Sequence, residues 1–352
     1  METRLYRLQM EDPNSWQEAL ADAARTLRAG GLVAFPTETV YGLGANALEP
    51  QAVRRIFAAK GRPQDNPLIV HVAEREWVLD LAEVTPAATA LMQAFWPGPL
   101  TLVLPRLPAV PLEVTAGLQS VAVRLPSHPV GRAMIAAAGL PVAAPSANRS
   151  GRPSPTCAEH VMEDLNGLVD VVLDGGPAGV GLESTVVDCT LPKPRVLRPG
   201  GVTPQDLERV VGPVDVDPRV LQVSEAAGPV ASPGMKYRHY APDGDVTLYE
   251  GDKAALPAVL RQAATAAEAA GRVVALLASD ETLAVYGGPG VRIPLGSRGD
   301  LTGMAGRLFD ALRQCDRLGA EVVLIEGTEP HGLGLAITNR LRRAAGGRIV
   351  RL

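Results

Sequence analysis

Short apolar runs ending in proline, glycine or hydroxyl-bearing residues recur along the chain with helical patterns between them. That alternation restricts the chain to an α/β architecture. Leu32–Phe35 reads as a buried strand ending at Pro36. Leu68–Val72, Leu100–Leu104, Val121–Arg124, Val142–Ala144, Val171–Leu173, Ser184–Asp188 and Val196–Arg198 read as further strands. Residues 14–29 read as a helix capped by Asn14 or Ser15 and stopped by Gly30-Gly31. A second helix over 51–59 starts at Pro50 and ends at Gly61. Helices near 86–95, 129–138 and 156–166 are interleaved with the strands.

At 352 residues the chain is too long for one ordinary core. The mixed α/β pattern fills residues 1–212. Residues 213–243 are broken by Gly212-Pro213, Gly228-Pro229 and Pro233-Gly234 and read as a linker. Residues 244–352 resume with strands at Val246–Tyr249, Val273–Ala278 and Glu321–Glu326, and helices across 253–270 and 301–318, a small parallel-sheet domain. Gly332-Leu333-Gly334 precedes a helix there, but a lone pair of glycines is weak evidence for a phosphate site.

Aromatic residues make up only 4 % of the chain, so the cores must be built from Ala, Val and Leu. The net charge is −4, which gives no support to tight sequence-independent binding of nucleic acid. It leaves room for a weak RNA contact at a local basic patch. Cys157, Cys189 and Cys315 match no metal or redox spacing, so no metal ligands are assigned. No run approaches the ~18 apolar residues of a membrane span. A cytoplasmic protein with no membrane partner is expected.

The chemistry concentrates in six segments. Lys60-Gly61-Arg62-Pro63-Gln64-Asp65-Asn66-Pro67-Leu68-Ile69-Val70-His71 holds two cations, an amide and a histidine on a backbone stiffened by two prolines. Lys60 alone could be a cation at a helix C-terminus. Arg62 and Asn66, each followed by proline, fit a grip on a polyanion better, Arg62 as a planar fork and Lys60 as a point charge. Pro36-Thr37-Glu38-Thr39-Val40-Tyr41-Gly42-Leu43-Gly44 places hydroxyls at a strand end, where α/β proteins put ligands; a Thr-rich turn is the plainer alternative. In Ser120–Arg124, alternation points Arg124 to the face of Ala122 and Ser120, and a buried arginine there needs a partner.

Ala143-Ala144-Pro145-Ser146-Ala147-Asn148, continuing to Ser154, turns from an apolar strand to small hydroxyl and amide residues that let a ligand approach the backbone. Gly181-Leu182-Glu183-Ser184-Thr185 and Arg198-Pro199-Gly200-Gly201 flank short strands with hydroxyls and an arginine. No Ser-His-Asp order or zinc spacing emerges. The sixth segment, Ser232-Pro233-Gly234-Met235-Lys236-Tyr237-Arg238-His239-Tyr240-Ala241-Pro242, is too aromatic and basic for an ordinary linker and reads as a lid.

Together these segments resemble the YrdC-type threonylcarbamoyl-AMP synthases in their two-domain form. Lys60-Gly61-Arg62 matches the family's KxR signature and Ser146-Ala147-Asn148 its SxN signature, and the Ser232–Pro242 linker is typical of the two-domain members. The resemblance implies an N-terminal twisted mixed sheet with a large concave cavity and a smaller Rossmann-like C-terminal domain. It implies a nucleotidyltransferase that joins L-threonine, bicarbonate or CO2 and ATP, with Mg2+, into threonylcarbamoyl-adenylate and pyrophosphate. A separate transferase then carries the threonylcarbamoyl group to the tRNA adenosine beside the anticodon.

By position, the resemblance puts Thr39, His71, Arg124, Ala144 and Ser184 around threonine. Arg62, Asn66, Ser120, Ser146, Asn148, Ser154, Arg198 and Tyr240 fall to the nucleotide, and Lys60, Arg62 and Arg124 to the chemistry. Two other readings use the same residues. An RNA-binding module would bind phosphates in the same cavity without consuming ATP. A carbamoyltransferase-type maturation domain would add cysteine-rich zinc segments, which this sequence lacks.

Overall fold

The computed structural model describes residues 2–222 and 239–352, which form two compact units. The expected lid falls largely outside them: of Ser232–Pro242 only His239–Pro242 is described.

The first unit contains β1 (Arg4–Arg7), α1 (Gln17–Arg28), β2 (Val33–Phe35), β3 (Gly42–Asn46), α2 (Pro50–Lys60), β4 (Ile69–His71), α3 (Pro86–Phe95), β5 (Leu100–Pro105) and α4 (Leu112–Thr115). It continues with β6 (Ser120–Arg124), α5 (Pro129–Ala138), β7 (Val142–Ala143), α6 (Ala158–Leu165), β8 (Val171–Asp174), β9 (Thr185–Asp188), β10 (Arg195–Arg198), α7 (Pro204–Val211) and β11 (Asp215–Val216). The strands form one mixed sheet in the order β1-β8-β2-β3-β7-β4-β6-β5-β9-β10-β11. β11 pairs with β10, so this sheet runs on to Val216.

Local chemistry sets many of these boundaries. Pro50 opens α2, the Glu49 side chain caps it, and Gly61 ends it at a left-handed φ of 61°. A reciprocal Thr203–Asp206 capping box starts α7. The expected helix over 14–29 divides in two. The Asp12 side chain, rather than Asn14 or Ser15, caps a 3-10 turn over Pro13–Trp16, accepting from the Asn14 N–H at 3.1 Å, and α1 follows without a side-chain cap.

β3 escapes the sequence reading because it is built from Gly, Ala and Asn, residues poor in strand propensity. The fold requires small residues there. A Cβ on Gly44 would lie 2.7 Å from Val142 and 3.0 Å from Phe35.

The pleat sorts side chains between the two faces of the sheet. Val70, Leu102, Leu104, Val121, Val123 and Val187 join the main core beneath α2 and α3. Ile69, Val103, Ala122, Val186 and Leu197 form a smaller apolar cluster of their own. In the parallel β4–β6 pair, Ile69 stands beside Ala122 and His71 beside Arg124. The polar residues therefore continue the rows of that small cluster at one end of the strands.

The second unit contains β12 (Asp245–Glu250), α8 (Leu256–Ala269), β13 (Val274–Ser279), α9 (Asp280–Tyr286), β14 (Val291–Gly296), α10 (Leu301–Arg317), β15 (Val322–Glu326), α11 (Leu333–Ala344) and β16 (Ile349–Arg351). Its sheet is wholly parallel, in the order β14-β13-β15-β12-β16. Every residue of β13 is buried, as expected for a parallel strand covered on both faces. No described helix is long and apolar enough to cross a membrane.

Candidate functional site

Strand ends of the first unit bring most of the expected residues into a few connected clusters. Arg124, at the end of β6, is 3 % exposed. Its Nη1 donates to Thr39 Oγ1 at 2.8 Å and its Nε to the Gly98 carbonyl at 3.3 Å. Nη2 lies 2.8 Å from Glu38 Oε1 as an ion pair, but the two atoms do not align as a hydrogen bond. Thr39 takes one of the two Nη1 protons, so the guanidinium keeps donor capacity beside its ion pair with Glu38.

Glu38 Oε2 accepts from the Ser127 backbone N–H at 3.1 Å. Burial pushes the Glu38 carboxyl up, but the Arg124 guanidinium and the backbone N–H groups outweigh it, and its pKa lies below the ordinary value. Thr37 Oγ1 ties the loop together, lying 2.8 Å from Thr39 Oγ1 and donating to the Val40 carbonyl at 2.6 Å.

His71 stands next to Arg124 in the sheet and is buried. Burial, and then the neighbouring guanidinium, lower its pKa to about 3, so the ring is neutral at physiological pH. Its Nδ1 lies 3.2 Å from the Ile69 carbonyl, and its ring packs edge-on to Phe35 at 5.9 Å. Ala144 follows β7 beside these groups: its N–H donates to the Ile69 carbonyl at 2.8 Å.

A second cluster lies across β5, β9 and β10. Ser184 Oγ is 2.7 Å from Thr101 Oγ1. Arg198, 6 % exposed, donates from Nε to the Ser184 carbonyl at 3.1 Å and from Nη2 to Ser184 Oγ at 3.2 Å. Gly200 makes this approach feasible, since a Cβ there would sit 2.4 Å from the Thr185 nitrogen. Ser154 is buried and donates to Glu183 Oε1.

The two signature segments meet through Lys60. Its Nζ is buried and donates to the carbonyls of Ser146 and Asn148, which ties the end of α2 to the turn after β7. Within that turn Ser146 Oγ donates to Asn148 Oδ1 at 2.5 Å, and Asn148 Nδ2 to the Arg149 carbonyl at 2.8 Å. Arg62 Nη2 donates to the carbonyls of Asn66 and Pro67 at 3.3 and 3.2 Å, folding the Pro63–Pro67 loop around its own guanidinium. Asn66 is fully buried, yet neither Nδ2 nor Oδ1 has a hydrogen-bond partner among the described residues. Such a group costs roughly 1–3 kcal/mol unless something completes it.

One expected residue of the first unit stands apart from these clusters. Ser120 lies at the opposite end of β6 from Arg124, paired with Pro105. Tyr240 belongs to the second unit, where its ring is 5.1 Å from that of Phe309 and lies beneath the Arg340 guanidinium at 5.6 Å. The sequence reading left Glu38, Thr101 and Glu183 out of the site. Thr101 was recoverable from alternation, because it shares a face with Val103 on β5. Glu38 was not, because nothing in its spacing announces the arginine 86 positions later.

Fold and site together define an α/β enzyme domain with hydroxyls, an amide and arginines at its strand ends, followed by a parallel-sheet domain. A family model described as "Telomere recombination" matches residues 25–200, and one described as "Threonylcarbamoyl-AMP synthase, C-terminal domain" matches residues 202–346. The threonylcarbamoyl-AMP synthase of Bacillus subtilis is 46 % identical over the full length of both chains. That of Pyrococcus abyssi is 46 % identical over 94 % of this chain and 95 % of its own. A structure of P. abyssi Sua5 complexed with L-threonine superposes with a TM-score of 0.91 at 44 % identity, covering 100 % of this chain and 99 % of the other. The chain belongs to the two-domain threonylcarbamoyl-AMP synthase family, enzymes of the nucleotidyltransferase type.

Proposed function

We propose that the first unit joins L-threonine, bicarbonate or CO2 and ATP into L-threonylcarbamoyladenylate, releasing pyrophosphate. This is the first step of threonylcarbamoyladenosine formation beside the tRNA anticodon. The observation that carries the reading is Arg124, a buried guanidinium fixed by Thr39, Glu38 and Gly98 with donor capacity left on Nη1. That capacity suits a carboxylate, which takes charge-assisted and bidentate bonds. The small apolar cluster led by Ile69 and Ala122 lies in the same rows and would receive an aliphatic side chain.

In this reading Thr39, His71, Ala144 and Ser184 surround threonine with Arg124. The neutral His71 can share a hydrogen bond with the substrate without adding a charge beside Arg124. Asn66 would complete its unpartnered amide on the nucleotide, joined by Arg62, Ser146, Asn148, Ser154 and Arg198. Lys60 holds the 146–148 turn in place. Ser120 and Tyr240 are assigned to the nucleotide by the resemblance alone.

The threonine ammonium loses a proton, and the free amine adds to CO2, supplied as such or from bicarbonate, losing a second proton to become the carbamate. The carbamate oxygen then attacks the α-phosphorus of ATP, and pyrophosphate leaves. Orientation and charge neutralisation carry most of the rate. Among the described residues no group of three or more His, Cys, Asp or Glu could hold a metal. Mg2+ would therefore enter on the triphosphate oxygens, the usual mode for this ion. A separate transferase would consume the adenylate.

The test is pyrophosphate release from ATP, Mg2+ and bicarbonate with each amino acid in turn. Release confined to threonine supports the proposal. RNA binding with no ATP consumed would replace it with a binding module, and near-wild-type turnover in both Arg62→Ala and Arg124→Ala would overturn the site assignment.

A further inference from the structure

The second unit carries a cavity that the threonylcarbamoyl-adenylate chemistry does not use. It measures about 250 Å³ and opens at the carboxyl ends of β12, β14 and β15. In open parallel sheets ligands bind at that edge, where neighbouring strands send their connections in opposite directions. β13 and β15 are such neighbours: the chain leaves β13 for β14 on one side and leaves β15 for β16 on the other.

Glu326, the last residue of β15, sits at this point with its carboxyl 1 % exposed. Oε2 accepts from the Ser279 N–H and Oγ, both at 2.8 Å, closing the gap to β13. Oε1 accepts from Arg298 Nε at 2.9 Å and lies 3.7 Å from Lys253 Nζ. The carboxylate is fully occupied, and it holds two cations at the cavity wall.

Those cations have capacity left. A guanidinium carries five N–H donors. Arg298 gives Nε to Glu326 and one Nη2 proton to Thr282, and its Nη1 has no partner among the described residues. Lys253 has three ammonium donors, of which the Gly327 carbonyl takes one at 2.5 Å. Glu329 brings a second carboxylate to the wall, and Leu301 and Met304 of α10 supply an apolar side.

The cavity thus offers cations, an anion and an apolar surface within a volume below the ~300–1,000 Å³ of drug-sized pockets. We propose that it binds a free α-amino acid, with the carboxylate on Arg298 and Lys253, the ammonium at Glu329 and an aliphatic side chain against Leu301 and Met304. A nucleoside triphosphate is too large for it, and inorganic phosphate would leave the apolar wall and Glu329 without a partner.

Hydrogen–deuterium exchange on the full chain tests this, because it reads each unit separately. L-isoleucine or L-threonine at millimolar concentration should slow exchange several-fold in segments 298–304 and 326–334. The protection should vanish in Met304→Trp, which fills the cavity, and in Arg298→Gln. Where Met304→Trp fails to fold, Leu301→Phe fills the same space. Basal pyrophosphate release should be unchanged in the variants that fold. No protection with either amino acid, protection by AMP or phosphate alone, or protection that survives the filled cavity would each overturn the proposal.

Discussion

Both units hold a carboxylate against an arginine at a strand end, and they finish the arrangement differently. Glu326 spends both oxygens on aligned donors from Ser279 and Arg298. Glu38 has one aligned donor, the Ser127 N–H, and its approach to Arg124 is out of line. In the same unit, Asn66 is also buried, with neither polar atom satisfied among the described residues. The Glu326 carboxylate is a framework that holds Arg298 and Lys253 in place, and in the proposed function the incomplete cluster is where the substrate would supply the missing bonds.

Arg124→Ala should break the comparison hardest. It removes the carboxylate grip and strands Glu38, so threonine-dependent pyrophosphate release should fall by at least about 100-fold. Stability to denaturant should fall by about 3–5 kcal/mol, as when a buried pair loses one member. Adding Glu38→Ala should recover part of that stability and none of the activity. If the double variant turns over normally, the pair is structural.

Asn66→Leu separates function from stability in the opposite sense. Removing an unsatisfied amide should leave stability unchanged or raise it by about 1 kcal/mol, while the KM for ATP rises by about tenfold. An unchanged KM would remove Asn66 from the nucleotide site.

Glu326→Gln probes the completed cluster. It should cost about 2 kcal/mol in denaturant unfolding of the second unit, through the loss of charge-assisted bonds. Turnover in the first unit should stay within about twofold.

A further effect is set by pH. His71 titrates near 6.5 when unfolded and at about 3 when folded. Its contribution is full above pH 6.5 and is lost as pH falls toward 3, because the unfolded chain binds the proton first. The slope across that window should reach about 1.4 kcal/mol per pH unit. Replacing His71 by Gln should remove one proton from the slope, measured by denaturant titration from pH 7 to 4.

The strands named by apolar runs and the helices bounded by Pro and Gly were legible, because both signals act locally. α3 and α5 occupy the residues their patterns mark out. β3 was not legible, since its small residues answer to Phe35 and Val142 across the fold rather than to any strand preference. The same divide runs through the site. Arg62, Asn66 and Arg124 stood out by residue type beside proline or on a strand. Glu38 and Thr101 gain their meaning only from partners distant in sequence.

The parallel register that sets His71 beside Arg124 has a consequence for how this chain can change. Deleting or inserting a single residue in β4 or β6 would turn every later side chain of that strand over, sending His71 or Arg124 into the apolar core and a valine into the site. Point substitutions can tune the pocket one group at a time. Length changes in these two strands cannot, so tolerated insertions should be confined to the connecting loops.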